Sequence, residues 1–328
     1  MLRTRLTERL GLRHPIIGAP MAFAAGGRLA AAISEAGAFG LIGGGYGDAD
    51  WLRREFDVAG NRPVGCGFIT WSLRRQPAIL DVALARNPKA IFLSFDDPAP
   101  FAARIKNRGV LLICQIQTRK DALRALDCGA DIIVAQGSEA GGHGEIRGTF
   151  SLIPEIADVI ANQSPDALLC AAGGVGDGRG IAAALMLGAD GVVVGSRFWA
   201  SEEATVSARM HAVAVGATGD DTIRSQLMDM ARKLDWPSRY TARVLRNQFI
   251  KRWQGREEEL RAAADEVALQ YQRAWTEGNP DESNTFVGEV VGLIHQIEPV
   301  GKIIERMVGD AARLIDHAGR HLNGIGST

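Results

Sequence analysis

Eight short apolar runs recur along the chain up to about residue 200, and amphipathic stretches separate them. The runs lie near Ile16, at 40–45, 63–69, 90–95, 111–116 and 131–137, in a stretch ending at Gly174, and at 191–198. They are almost continuously apolar, which is typical of parallel strands buried on both faces. The stretches between them place small and apolar residues at helical spacing and end at glycine. This alternation predicts an α/β fold, a (β/α)8 TIM barrel.

A doubly wound open sheet is the main structural alternative. Its dinucleotide-binding form has the pattern G-x-G-x-x-G after the first strand. The first run here is followed by GAPMAFAAGG, and GGVGDGRG at 173–180 also lacks the spacing. The pattern therefore favours the barrel.

The strand pattern stops after about Ser201, and residues 216–299 are predicted to be helical. We expect two domains. Residues 1–215 would form the barrel, completed by an amphipathic C-terminal helix within 300–328, and residues 216–299 would form a smaller helical substrate or lid domain. The aromatic residues of that region are either core or the lining of an apolar pocket; they are Trp236, Trp253, Tyr271, Trp275 and Phe286.

Composition excludes several classes of function. The formal net charge of −1 gives no basic surface for nucleic acid, and no apolar stretch is long enough to span a membrane. The N-terminal stretch lacks a secretory apolar core, so we expect a cytoplasmic protein. The four cysteines and six histidines show no zinc spacing, so no protein-bound metal is expected. A homodimer is compatible with the sequence, which does not require one.

Glycine clusters follow four of the predicted strands, on the face where barrels bind ligands. The loops after the seventh and eighth strands commonly hold a phosphate. Gly173 and Gly174 lie in one of these loops, and Gly195 and Ser196 lie in the other. Tight turns alone could explain one glycine pair, but two pairs in the expected loops favour phosphate binding.

The segment GSEAGGHG at 137–144 surrounds His143 with glycine. Such a cluster marks a turn or a place where a ligand approaches the backbone closely. The segment is therefore either a surface loop with an incidental histidine or a ligand site with His143 at the reactive atom. Flavin mononucleotide (FMN) would span the barrel mouth and place Met21 near its ring edge, although a core role for Met21 is equally compatible.

Several blocks together resemble the nitronate monooxygenase family, formerly the 2-nitropropane dioxygenases. They are GAPM at 18–21, QIQT from Gln115, GSEAGGHG, AAGGVGDGRGIAAALMLGADGVVVGSRF, and GEVVGLI at 288–294. The resemblance covers most of the chain and is strongest at 115–200. It implies an FMN-dependent TIM-barrel oxidoreductase that converts alkyl nitronates and O2 to a carbonyl compound and nitrite.

The resemblance also assigns residues. It implies that His143 is the catalytic base and that the cofactor lies on barrel loops; the implied cofactor-binding residues are Ala19, Pro20, Met21, Gly67, Gln115, Gly141, Gly142, Gly173, Gly174, Gly195 and Ser196. Two positions depart from the family. Many relatives have asparagine where this chain has Gly67, and some have lysine where it has Gln115, so a cation beside the reduced flavin is missing. Glu139 either orients His143, caps a helix or is solvated.

Other functions remain open on the sequence. The same scaffold serves NAD(P)H-dependent FMN reductases that act on quinones or enoyl thioesters. A non-catalytic flavin-binding protein is a second alternative, which the glycine-lined His143 disfavours. An aldolase or isomerase barrel would need a lysine or a carboxylate pair at the strand ends, where Gln115 and Gln136 stand instead.

Overall fold

The computed structural model describes residues 2–324, and side chains up to residue 320. These residues form eleven strands: β1 (Ile16–Gly18), β2 (Leu41–Gly45), β3 (Gly65–Ile69), β4 (Ala90–Ser94), β5 (Leu111–Ile116), β6 (Ile132–Gln136), β7 (Gly142–Gly144), β8 (Leu168–Ala172), β9 (Gly191–Val194), β10 (Thr222–Ser225) and β11 (Thr241–Leu245). The helices are α1 (Arg5–Leu10), α2 (Gly27–Glu35), α3 (Ala49–Ala59), α4 (Thr70–Arg75), α5 (Ile79–Leu84), α6 (Ala99–Lys106), α7 (Arg119–Asp127), α8 (Thr149–Gln163), α9 (Gly178–Met186), α10 (Ser196–Trp199), α11 (Ala208–Val215), α12 (Leu227–Ala231), α13 (Gln248–Trp253), α14 (Glu257–Ala262), α15 (Ala264–Thr276) and α16 (Val300–Gly324), with short 3-10 helices at Gly219–Asp221 and Glu289–Leu293.

Eight parallel strands form the barrel, in the order β1-β9-β8-β6-β5-β4-β3-β2. A parallel bridge between Ile17 and Phe39 joins the two ends of this order. The N–H of Gly18 donates to the carbonyl of Phe39, and that of Phe39 donates to the carbonyl of Ile16. All eight apolar runs are thus barrel strands, and the expectation of a TIM barrel is confirmed.

Alternate residues of each strand face two separate apolar layers. One cluster fills the barrel interior and includes Ile17, Phe92 and Val134, with Leu6 of α1 packed against it. The other lies between the strands and the surrounding helices and includes neighbours such as Ile16 and Ile133. This double burial explains why the strand sequences are continuously apolar.

Helix α16 supplies the outer layer that follows β9. It packs on α2 and α9, and its buried face, from Val300 and Ile303 to Ala311, belongs to the cluster between strands and helices. Helix α16 thus packs where the outer helix that follows β9 would lie; residues 325–328 of the predicted C-terminal helix lie outside the described part of the chain. Across the described residues, the helices are too short or too polar to cross a membrane.

Residues 216–299, which we call the insert, contain α12–α15 and also two strands that the sequence analysis did not predict. Strands β10 and β11 pair antiparallel, and β11 pairs on its other edge with β7, which precedes α8 of the barrel. This small sheet corrects the expectation of an all-helical region. Both strands are short and only partly buried, so they lack the continuous apolar run by which the barrel strands were recognised.

Candidate active site

A cavity of about 870 Å³ opens at the carboxyl ends of the barrel strands. All the residues that the sequence analysis assigned to catalysis or cofactor binding line it: Ala19, Pro20, Met21, Gly67, Gln115, Gly141, Gly142, His143, Gly173, Gly174, Gly195 and Ser196. The insert closes one side with Trp236, Trp275 and Phe286. The other two aromatic residues named from the sequence, Trp253 and Tyr271, belong to the apolar core of the insert.

The GAPM turn crosses the ends of several strands. The N–H of Ala19 donates to the carbonyl of Val194, and a β-carbon on Gly67 would lie 2.4 Å from the ring of Pro20. Because that ring cannot move aside without the turn, the asparagine that the family resemblance leads us to expect at this position would collide with it here. The departure at Gly67 is therefore coupled to the packing of Pro20.

The two glycine loops expected to hold a phosphate differ in backbone conformation. Gly173 and Gly174 have φ values of +89° and +77°, which side-chain-bearing residues rarely adopt. In the loop after the neighbouring strand β9, Ser196 begins α10, and its Oγ accepts a 2.8 Å hydrogen bond from the N–H of Gly288 in the insert. That bond leaves the hydroxyl proton of Ser196 available to a ligand.

Gly141 and Gly142 serve different structural needs. A β-carbon on Gly141 would lie 2.5 Å from the backbone nitrogen of Gly288, and one on Gly288 would lie 2.4 Å from the carbonyl oxygen of Glu139. Gly142 has a φ of +72° and no atom within 4 Å of such a carbon. Gly288 is the first residue of the segment GEVVGLI, so its close contact with residues 139–141 brings that segment to the barrel mouth.

Three glutamine amides meet at the ends of β5 and β6. Gln136 Oε1 accepts hydrogen bonds from Gln115 Nε2 at 3.1 Å and from Gln117 Nε2 at 2.8 Å. An amide has two N–H donors, so Gln115 retains one that can reach a ligand in the cavity. The site thus holds Gln115 by a network of neutral amides.

His143 lies on β7, at the edge of the small sheet, opposite Ala242 of β11. Its Nε2 lies 2.9 Å from Oδ2 of Asp229 on α12, and the two residues are only 9% and 3% exposed. Burial lowers the pKa of His143, and the Asp229 carboxylate opposes that shift. A neutral imidazole that donates from Nε2 to Asp229 presents Nδ1 as a proton acceptor.

Aromatic side chains surround this imidazole. The ring of Trp236 stacks on His143 with centroids 3.4 Å apart and planes within 5°, and Phe95 contacts it edge-on at 6.2 Å. The indole Nε1 of Trp236 donates to the hydroxyl of Tyr46 at 3.1 Å, which ties the insert to the loop after β2. Trp236 thus covers one face of His143 and excludes water from it.

Sequence reasoning missed Asp229. It stands in QLMDMARKL, where an aspartate among amphipathic positions indicates a solvated helix face. Only its burial next to His143 reveals a role, and no local pattern could have signalled that pairing across the chain.

Glu139 does not orient His143. Its carboxylate accepts hydrogen bonds from the backbone N–H of Thr149 at 3.1 Å and from the Thr149 hydroxyl at 2.9 Å. Since Thr149 is the first residue of α8, Glu139 satisfies a helix N–H that has no partner within the helix. Of the three roles weighed from the sequence, the structure supports helix capping.

Comparison with known proteins matches residues 3–62 and 73–310 to the family described as nitronate monooxygenase. A nitronate monooxygenase of Metarhizium robertsii is 32% identical, with 92% of this chain and 91% of the relative covered. The (3aS,4S,5R,7aS)-5-hydroxy-7a-methyl-1-oxo-octahydro-1H-indene-4-carboxyl-CoA dehydrogenase of Rhodococcus jostii is 26% identical, with 97% and 98% covered. The solved structure of FabK from Thermotoga maritima matches with a TM-score of 0.86 at 30% identity, over 98% of this chain and 100% of that chain.

Proposed function

Because this chain belongs to the nitronate monooxygenase family and is an oxidoreductase of that family, we propose that it is an FMN-dependent enzyme that oxidises alkyl nitronates with O2. The products would be a carbonyl compound and nitrite. The observation that carries this proposal is the buried pair of His143 and Asp229, in which His143 lines a cavity that is also lined by the glycine-rich loops after β8 and β9.

The cavity fits FMN in size and in chemistry. Its volume of about 870 Å³ lies within the roughly 300–1,000 Å³ usual for cofactor and ligand sites. Gly173, Gly174 and Gly195 offer bare backbone, and Ser196 offers a hydroxyl proton, for the phosphate group. Gln115 would donate to the polar edge of the ring, and Met21 would contact its apolar part. When bound, FMN supplies the capacity to take electrons from the substrate and pass them to O2.

His143 acts on the proton of the substrate. As a neutral imidazole it accepts, at Nδ1, the proton from the carbon next to a nitro group. Asp229 holds the Nε2–H tautomer and stabilises the imidazolium that this transfer creates, as an aspartate does beside a catalytic histidine in hydrolases. With a nitronate, which has already lost that proton, His143 only positions the anion.

The relative from Rhodococcus jostii favours a second candidate. That relative is named as a dehydrogenase of a CoA thioester, so a thioester carbonyl is the alternative group to meet His143. If electrons flow toward the thioester rather than from it, the protein would be an NAD(P)H-dependent FMN reductase acting on enoyl thioesters or quinones.

An anaerobic absorbance spectrum tests the proposal. The protein as purified, or after addition of FMN, is mixed with propyl-2-nitronate in one cuvette and with NADH in another. Reduction of the flavin band by the nitronate alone supports the monooxygenase. Rapid bleaching by NADH moves the assignment to the reductase, and the lack of any flavin band removes FMN from both candidates.

The role of His143 is tested separately with His143→Ala. Turnover of neutral nitroalkanes should fall more than turnover of preformed nitronates, because only the former need a base. Equal losses on both substrates contradict the general-base role.

A further inference from the structure

Asn284 is a buried amide with no hydrogen-bonding partner. Its exposed fraction is 0%, it lines the cavity, and neither Nδ2 nor Oδ1 has a partner among the described residues. Buried polar groups in folded proteins are almost always paired, since an unpaired one loses its bonds to water without replacement. An amide left unpaired at a cavity wall is therefore suited to a ligand.

The position of Asn284 points to the substrate as that ligand. Asn284 belongs to the insert, whereas the residues expected to hold FMN come from barrel loops. Two residues further along, the ring of Phe286 lies 6.4 Å from that of His143. The next residue, Thr285, accepts a hydrogen bond from Leu245 of β11, the strand that also pairs with His143. The segments that carry Asn284 and His143 are thus both hydrogen-bonded to or paired with β11, and both residues line the cavity.

We propose that Asn284 is a substrate-binding residue whose Nδ2 donates a hydrogen bond to an oxygen of the substrate. This inference rests on the proposed function of the cavity. The oxygen is the N–O of a nitro or nitronate group or the C=O of a thioester, since both are sp² acceptors. A neutral amide at this point fixes the oxygen while His143 acts on the neighbouring carbon.

Asn284→Leu tests this with a matched control, Thr285→Val. Thr285 is also buried, at 2% exposed, and its Oγ1 has no hydrogen-bonding partner in the part of the chain that the structure describes, but it does not line the cavity. Both substitutions replace an unpaired polar group with an apolar group of similar size, so neither should lower the melting temperature of the ligand-free protein. Only Asn284→Leu should raise the apparent Kd for propyl-2-nitronate, by about tenfold or more. This Kd is measured from anaerobic flavin reduction.

Three results overturn the inference. An unchanged Kd in Asn284→Leu together with a lower melting temperature makes Asn284 a structural residue. A loss of bound FMN with an unchanged Kd makes the cofactor its ligand. An equal loss of affinity in Thr285→Val shows that the effect is not specific to the cavity.

Failure of the proposed function is distinguishable from these results. If the wild-type protein is not reduced by the nitronate at all, the monooxygenase proposal fails first. The same variants are then compared with crotonyl-CoA as the oxidant of NADH-reduced enzyme. A higher KM for crotonyl-CoA in Asn284→Leu alone supports a hydrogen bond from Asn284 to the thioester carbonyl oxygen. Equal KM values in the wild type and both variants contradict the inference.

Discussion

Nε2 of His143 and Oδ2 of Asp229 lie 2.9 Å apart, although 86 residues separate them in the chain. Asp229 is the charged group that raises the pKa of His143, whereas burial and the nearby Arg232 and Arg224 lower it. The net pKa is below the usual value for histidine, so His143 is neutral and able to accept a proton at neutral pH.

Asp229→Asn should lower kcat/KM for a neutral nitroalkane by about 10- to 100-fold, a part of the roughly 10²–10⁴ that a positioned base contributes. Loss of the carboxylate removes the interaction that favours the imidazolium, so the pKa of His143 should fall further. The acidic limb of the kcat/KM profile should then move to lower pH. A profile that keeps its limb and loses only amplitude contradicts the electrostatic part of this role.

Trp236→Ala should move the acidic limb of the kcat/KM profile to higher pH, opposite to the shift expected for Asp229→Asn. Burial is the largest cause of the lowered pKa of His143, and Trp236 covers one face of the imidazole. Removing the indole admits water, which stabilises the imidazolium and raises the pKa. The two variants measured in one set of buffers control each other, and shifts of the same sign rule out this account.

Glu139→Ala should destabilise the protein without changing the pH profile of kcat/KM. The carboxylate caps α8 through Thr149, and loss of a helix cap costs about 0.5–2 kcal/mol. The charged groups that act on His143 are Asp229, Arg232 and Arg224. Urea unfolding measures the first effect, and kcat/KM against pH checks the second. A shifted limb would restore the orienting role of Glu139.

Gly288→Ala should lower the free energy of unfolding by about 1–3 kcal/mol, as overpacking does. Its β-carbon would lie 2.4 Å from the carbonyl of Glu139 and 2.7 Å from the nitrogen of Gly141, and backbone cannot rotate away. Gly309→Ala in α16 is the control, since among the described residues its β-carbon would contact just the end of the Arg313 side chain, at an ordinary 3.7 Å. The control should be neutral or more stable, because alanine favours helix. Equal stability of both variants would mean that the 139–141 loop adapts.

The barrel could be predicted from the sequence because its strands are buried on both faces, and such strands have continuously apolar sequences. The site glycines could be placed because ligands bind at the carboxyl ends of barrel strands. The steric need for glycine at position 141 could not be predicted. It arises from contact with Gly288, which is remote in sequence and lies against Gly141 only in the folded chain.

The insert was harder to predict for a different physical reason. Strand β10 has the sequence TIRS, with one fully buried position, and β7 is GHG, whose glycines disfavour strands. In the four-residue segment of β10, only Thr222 and Ile223 are strand-favouring residues. Both segments become strands by pairing with β11. Where tertiary pairing decides the conformation, local pattern carries no signal.

The pairing of β7 with β11 also constrains how this enzyme is made and how it can be altered. A chain emerging from the ribosome completes all eight barrel strands before the partner of the His143 strand is synthesised. The insert therefore cannot be exchanged between relatives as an independent cassette. A chimaera that replaces residues 216–299 also replaces the register that aims the imidazole, so recombination points must keep β7 and β11 from the same parent.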